Sequence, residues 1–343
     1  MQQRNEEIWL ALDSRGAGGI ESHVAQLAQA LQAEGRAVRI VLLADYGGHP
    51  LQAQAAAAGI PLECLDGSPL ALWQALRRAR PALLHTHGYK AGIIGRLAAT
   101  LLRLPVVSTF HAGEPGRGRL RLYQWLDEHS AGLGISAAVS APIAARLGGR
   151  AALLDNFVCL PPARIHAPLS LAFVGRLSHE KGPDQFLAIA RDLPQLTCLV
   201  FGDGPLRAEL QAQAGANVQF MGMVSNMQEY WPAVGLLCMP SRHEGMPMAA
   251  LEAMAHGVPV AAFAVGELPK LATAQAGGML CTPGDIAALA ASIAVWQHLS
   301  IAQRRERGNA ARQWVAERFS PEAVLPSILR LYAQAGGVPC SSP

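Results

Sequence analysis

Three segments hold the residues whose types and spacing could do chemistry. FVGRLSHEKG (173–182) puts Arg176 and Lys181 in one loop after an apolar run. Arginine offers a planar fork of donors and lysine a mobile point charge, a combination suited to a diphosphate. A solvated loop with Glu180 pairing locally is the alternative. SRHEGMPMAALEAMAHGVPVAAF (241–263) places Glu244 ahead of a helix and Glu252 in its second turn. Gly245 marks the turn, and Pro247 fits the first helical position, where a missing N–H costs nothing. Leu251, Met254 and Ala255 form the expected buried stripe, and Gly257 the cap. Free N–H groups near Met248 and Ala249 would face a phosphate. Otherwise Glu244 complements the helix dipole and Glu252 is a surface residue. The third segment, DSRGAGGIES (13–22), carries Gly16, Gly18 and Gly19. Its spacing is neither GxGxxG nor GxxxxGK[ST], which argues against a dinucleotide fingerprint and a P-loop. It is either a ligand loop or a tight strand-to-helix turn.

These loops need strands before them and helices after them, and the pattern supplies both. IWLAL (8–12), AVRIVLLA (37–44), ALLH (82–85), PVVST (105–109) and AGLGIS (131–136) read as buried strands. Between them, 20–34, 88–102 and 137–147 have helical spacing, the first ending at Gly35. The rhythm breaks at DNFVCLPPARIHAP (155–168), a linker. It restarts with SLAFVGRL (170–177), TCLVFGDG (197–204), GLLCMP (235–240) and PVAAF (259–263). Helical segments near 285–298, 301–318 and 322–335 close the chain, with Pro321 and Pro326 interrupting the last. The expected fold class is α/β, two Rossmann-like domains with parallel sheets. If these face each other, the carboxyl edges of both sheets share a cleft.

The composition excludes several classes. The chain has 343 residues, 51% hydrophobic and 15% charged, enough for two domains with their own cores. The first 150 residues carry 15 basic and 11 acidic groups and the rest 13 and 14, so neither part has the basic stripe of a nucleic-acid binder. Tryptophans 9, 73, 125, 231, 296 and 314 do not cluster as a stacking platform. The start lacks the order of a signal peptide, and no apolar run is long enough to span a bilayer. Six scattered cysteines without a CxxC pair fit a reducing, cytoplasmic setting. Only Lys90, Lys181 and Lys270 are lysines, against 25 arginines.

VGRLSHEKG with EGMPMAALEAMAHGVP, the early Gly-Gly and FGDGPLRAEL resemble the family-four retaining glycosyltransferases of GT-B fold. The likeness covers roughly 8–335 and includes the family's E-x7-E pair, Glu244 and Glu252. It implies an acceptor domain over 1–158, a nucleotide-sugar donor domain over 159–320, and a helix within 321–343 crossing back to the first. It implies that Arg176 and Lys181 grip the donor diphosphate and that Gly18 and Gly19 pack the first loop against it. Glu252 would take the ribose, and Glu244 the hydroxyls of the transferred sugar. His111, in STFHAGEP, would reach the sugar near the reacting carbon; by itself it reads as a core or loop histidine. The family's G-G-x-x-E stretch is altered here to GELPK, with Glu267 in place of a glycine and Lys270 in place of a glutamate.

The expected activity is metal-independent hexosyl transfer from a nucleotide-diphosphate sugar, with retention, to a saccharide or lipid-linked acceptor. The setting would be surface polysaccharide, lipopolysaccharide or glycolipid synthesis. No cofactor is expected beyond the donor. His85 and His87 face one side of a strand end, but with no carboxylate or cysteine at ligand spacing no metal site is expected. Arg117, Arg119 and Arg121 suit an anionic acceptor or a peripheral contact with an anionic membrane; a charged helix face is the other reading. The rivals are a glycoside hydrolase using the two glutamates, a sugar-nucleotide epimerase or hydrolase, and a non-catalytic sugar-nucleotide binder. Nucleotide release coupled to product separates transfer from hydrolysis of a glycoside.

Overall fold

Apolar strands alternating with amphipathic helices build two parallel sheets, each the centre of its own unit. The computed structural model describes residues 5–16, 18–111, 118–162, 165–224 and 226–337. The units are Met1–Phe157 with Pro321–Pro343, and Val158–Ser320. Among the described residues no single helix is long and apolar enough to cross a membrane.

The first unit runs β1 (Asn5–Leu12), α1 (Gly19–Ala33), β2 (Val38–Leu42), α2 (Pro50–Ala57), β3 (Leu62–Cys64), α3 (Pro69–Ala79), β4 (Pro81–His87), α4 (Tyr89–Leu102), β5 (Val106–Phe110), α5 (Arg119–His129), β6 (Ile135–Ala138), α6 (Ala141–Arg146) and β7 (Ala152–Leu153). Its strand order is β3-β2-β1-β4-β5-β6-β7, with every pair parallel. Side chains alternate between the sheet faces, so Ile8, Leu10 and Leu12 share one core with Leu83 and Val107, while Trp9, Ala11 and Leu84 serve another. Helix α1 covers the first face with Val24, Leu27 and Leu31, and Gly35 (φ 72°) follows its end.

The second unit runs β8 (Ser170–Val174), α7 (Pro183–Asp192), β9 (Thr197–Phe201), α8 (Arg207–Gln213), β10 (Val218–Gly222), β11 (Leu236–Met239), α9 (Met248–Ala255), β12 (Val260–Phe263), α10 (Leu268–Leu271), β13 (Met279–Cys281), α11 (Ile286–Gln297) and α12 (Ile301–Arg318). Its order is β10-β9-β8-β11-β12-β13, again all parallel. A final helix, α13 (Pro321–Gln334), packs Val324, Leu325, Ile328, Leu331 and Tyr332 into the core of the first unit. Pro326 lies inside it without ending it.

The structure departs from the sequence reading at identifiable places. Strands β3, β7, β10 and β13 lie on or beside sheet edges and are only partly buried, so no continuous apolar run announces them. AGLGIS is a strand only from Ile135, because Ala131–Leu133 forms a 3-10 turn. The helix expected from 137 starts at Ala141, since Ala137 and Ala138 belong to β6. Helices α2 and α3 were not anticipated as separate elements, and α5 answers to the charged helix face read as the alternative at Arg119 and Arg121.

Both orders place a switch point between two central strands, β1 and β4 in one unit, β8 and β11 in the other. Connections leave those neighbours in opposite directions, which opens a crevice at the carboxyl edge. The loop after β8 is held to the end of β11 by a glycine. Gly182 has φ 66°, and a Cβ there would stand 2.0 Å from Pro240 O. Gly182→Ala should therefore destabilise the fold by more than the ~1–2 kcal/mol of a left-handed backbone alone. Thermal unfolding checks this, with a midpoint lowered by about 4 °C or more.

Candidate active site

In the second unit, the loops leaving β8 and β11 close on each other. Gln185 Nε2 donates to Pro240 O at 2.8 Å, and the N–H groups of Arg242 and His243 donate to Glu180 O at 2.8 and 3.2 Å. Arg242 also forms a bidentate pair with Asp184, at 2.8 and 2.6 Å. This clamp brings Lys181 onto Glu244, with Nζ at 2.9 Å from Oε1 and 2.8 Å from Oε2. Ser241 Oγ adds a third contact, donating to Oε1 at 2.8 Å. The Glu244 side chain is 3% exposed and that of Lys181 29%, so the carboxylate is the buried partner and the ammonium reaches solvent. A second glycine shapes this wall: Gly266 has φ 55°, and a Cβ would fall 2.2 Å from Glu244 O. Arg176 opens the β8 loop and is exposed.

Helix α9 starts at Met248, with Pro247 as its extended N-cap (φ −76°, ψ 122°). Pro247 was expected one position later, inside the first turn. Its carbonyl accepts from Ala250 and Leu251, so the N–H groups of Met248 and Ala249 lie ahead of the intrahelical ladder. Six of the eight helical residues are buried, a wider face than the stripe expected. The two others, Ala249 and Glu252, stand three apart and therefore on one face. The departing residues also find an explanation. Lys270 Nζ meets Glu267 Oε2 at 2.9 Å, so the substituted charges pair with each other. Glu267 is buried, and its N–H donates to Gly245 O at 2.9 Å.

The first unit gathers histidines at the equivalent edge. His85 and His87 continue the face of Leu83 along β4, and Thr109 and His111 continue that of Val107 along and just past β5. His23, on α1, packs over them with Phe157 and Asn156. His85 is satisfied, with Nδ1 2.8 Å from the Tyr332 hydroxyl and Nε2 2.8 Å from Thr109 Oγ1. His87 Nδ1 lies 3.1 Å from His111 Nε2. The His23 ring centroid is 5.4 Å from that of His87 and 4.9 Å from that of His111. The sequence reading pairs His85 with His87, and their ring centroids lie 4.2 Å apart; the fold adds His23 and His111 beside His87. His23 escaped notice because it sits in an ordinary helical stripe with Leu27 and Leu31. Its one signal is a histidine at an apolar position.

Burial keeps these rings neutral. It lowers His85 to about 3, with the His23 charge adding to the effect, and His23 to about 4, where the Asn156 side chain partly opposes it. Burial and the neighbouring rings also hold His87 and His111 well below the ordinary value. Beside His111 a cavity opens, walled by Ile20, Phe110, Ile143 and Leu147 and edged by Glu128 and Arg146.

Gly18 is the extended N-cap of α1 and Gly19 its first residue; Ala17 lies outside the described residues. Arg117 also lies outside them, as does the side chain of Arg119. Arg121 is exposed on α5, near exposed Leu122, Tyr123 and Trp125.

The two sheets define the GT-B class. The fold matches that of the HepE protein of Anabaena in complex with UDP-glucose, with a TM-score of 0.81, 20% identity, and 96% and 99% of the two chains covered. A model described as "Glycosyltransferase Family 4" matches residues 17–152, and one described as "Glycosyl transferases group 1" matches 168–296. The chain belongs to glycosyltransferase family 4 and is a glycosyltransferase. It is 28% identical over 382 residues to a glycogen synthase of Mycobacterium tuberculosis, covering 93% of this chain and 91% of the relative. It is 35% identical over 161 residues to the 2-deoxystreptamine glucosyltransferase of Streptomyces kanamyceticus, covering 43% and 41%.

The neutral histidines give the fold a pH dependence. In the unfolded chain each takes a proton near pH 6.5, whereas folded His23 and His85 do so near 4 and 3. Above 6.5 both states are neutral and this contribution to stability is complete. Below it only the unfolded chain gains protons, so stability falls by roughly 1.4 kcal/mol per pH unit per histidine until the folded values are reached. The thermal midpoint should drop steeply between about pH 6.5 and pH 5; a flat midpoint would show that the rings are not held neutral.

Proposed function

We propose that the protein is a retaining, hexosyltransferase-type enzyme that moves a sugar from a nucleotide-diphosphate donor to an acceptor hydroxyl. The observation that carries this reading is the Lys181–Glu244 pair at the β8/β11 switch point, just ahead of the start of α9. Breaking the sugar–phosphate bond leaves positive charge on the sugar and negative charge on the diphosphate. Lys181, already oriented by Glu244, and Arg176 stabilise the leaving group, together with the N–H groups of Met248 and Ala249. Gly18 and Gly19 let the first loop approach the same diphosphate. Glu244 keeps the sugar hydroxyls in register, and Glu252, on the more open face of α9, accepts from the ribose. His111 is held neutral, so it offers the sugar a hydrogen bond without adding positive charge to an oxocarbenium-like centre. Retention follows if the leaving phosphate takes the acceptor proton on the face it departs from.

The reaction runs without a metal in this proposal, because the cations of the β8 loop and the helix start meet the diphosphate charge. The acceptor enters beside His111, where apolar walls and the Glu128–Arg146 pair (3.3 Å) suit a saccharide on a lipid carrier. Exposed Leu122, Tyr123 and Trp125 with Arg121 support a peripheral contact with an anionic membrane on its cytoplasmic side. The setting is surface polysaccharide, lipopolysaccharide or glycolipid synthesis.

The UDP-glucose bound by HepE makes uridine donors the first to test, against GDP- and ADP-sugars. A donor at 100 times its Kd should stabilise the fold by about 2.7 kcal/mol, read as a raised thermal midpoint. Lys181→Ala should lower kcat by roughly 10²-fold or more under conditions where circular dichroism shows it folded. Unchanged turnover would remove Lys181 from the diphosphate. A chelator should not lower the wild-type rate.

A further inference from the structure

The histidine group of the first unit has a geometry that sugar transfer does not require. One ring nitrogen each of His23, His87 and His111 lies within 4.8 Å of the other two. Both nitrogens of His23, and Nε2 of His87, are buried without a well-formed hydrogen bond. Buried polar atoms are rarely left so; His87 has its other nitrogen on His111, which leaves His23 as the ring whose nitrogens lack a partner beside that pair. Four-coordinate zinc with Zn–N of 2.0–2.1 Å sets its nitrogens about 3.4 Å apart. His87 Nδ1 and His111 Nε2, at 3.1 Å, already stand near that spacing. Since the three nitrogens lie at most 4.8 Å apart, no pair of them needs to close by more than about 1.4 Å, within reach of side-chain rotation. The donor set is three imidazoles with no carboxylate, which selects zinc, cobalt, nickel or copper over magnesium or calcium.

We propose that His23, His87 and His111 bind one divalent transition-metal cation of the zinc class, and that the cation inhibits the enzyme by occupying the ring nitrogen of His111. The hydrogen now shared between His87 Nδ1 and His111 Nε2 shifts to the outer nitrogen of its own ring, so both ligands stay neutral. The Asn156 side chain stands beside His23. Transfer needs His111 free to meet the donor sugar, and the cation takes that nitrogen away. The inhibitory half rests on the glycosyltransferase reading above; the binding half does not.

The test uses full-length, tag-free protein stripped with a chelator and titrated with Co2+. The expected result is one equivalent bound, with the strong visible absorption of low-coordinate cobalt, displaced by Zn2+. His23→Gln should bind Co2+ at least about tenfold more weakly. Its turnover without metal should match that of wild type, and it should resist a Zn2+ concentration that halves the wild-type rate. Should His23→Gln fail to fold, His23→Asn takes its place. Absence of stoichiometric cobalt binding, or equal affinity in the variant, overturns the site. Binding that depends on His23 but leaves turnover unchanged overturns the inhibition. A chain that transfers no sugar from any donor overturns the glycosyltransferase reading and with it the inhibition, while the cobalt isotherm still judges the site.

Discussion

Strand direction is the constraint on which the rest of the structure depends. In a sheet whose strands all run one way, every outgoing loop emerges at the same edge. Side chains separated by tens of residues are thereby delivered to one line. Lys181 and Glu244 are 63 residues apart in sequence yet share two hydrogen bonds, because β8 and β11 are neighbours with the same polarity. His87 and His111 meet for the same reason at the ends of β4 and β5. A reversed strand at either point would send one partner to the opposite edge.

The two edges handle charge in different ways. In the second unit charge is kept and paired: a buried carboxylate is matched by an ammonium that still reaches solvent. Such a pair can exchange partners with an incoming anion at modest cost, because the lysine is never fully desolvated. In the first unit charge is avoided, since burial and mutual repulsion leave imidazoles neutral. Neutral rings can hydrogen-bond to a sugar or donate to a cation, and neither act requires a proton from solvent. The Glu267–Lys270 pair belongs with the first solution: two unusual residues offset each other within one short turn.

Much of the second unit's site was legible before the fold. The Arg176–Lys181 loop and the Glu244–Glu252 spacing are local patterns, carried by a strand end and a helix start that their own residues specify. The cap was misjudged by one position, because Pro247 suits both the N-cap and the first turn and only the backbone angles separate them. The edge strands were not legible: β10, with one side in solvent, has no apolar run to distinguish it from a loop. The histidine group was the largest omission. His23 belongs to a helix pattern, His87 to a strand and His111 to a loop, and nothing local links the three.

By itself the sequence determined which segments are strands or helices at the centre of each sheet and which loop carries the paired cations. Those outcomes follow from short-range periodicity and from glycine and proline, whose effects reach only a few residues. Tertiary structure alone decided who meets whom. It turned Lys181 toward Glu244, brought Tyr332 from the last helix onto His85, and assembled His23, His87 and His111 around one point. Those contacts depend on strand order and on which face each side chain takes, and packing sets both only once the sheets have formed.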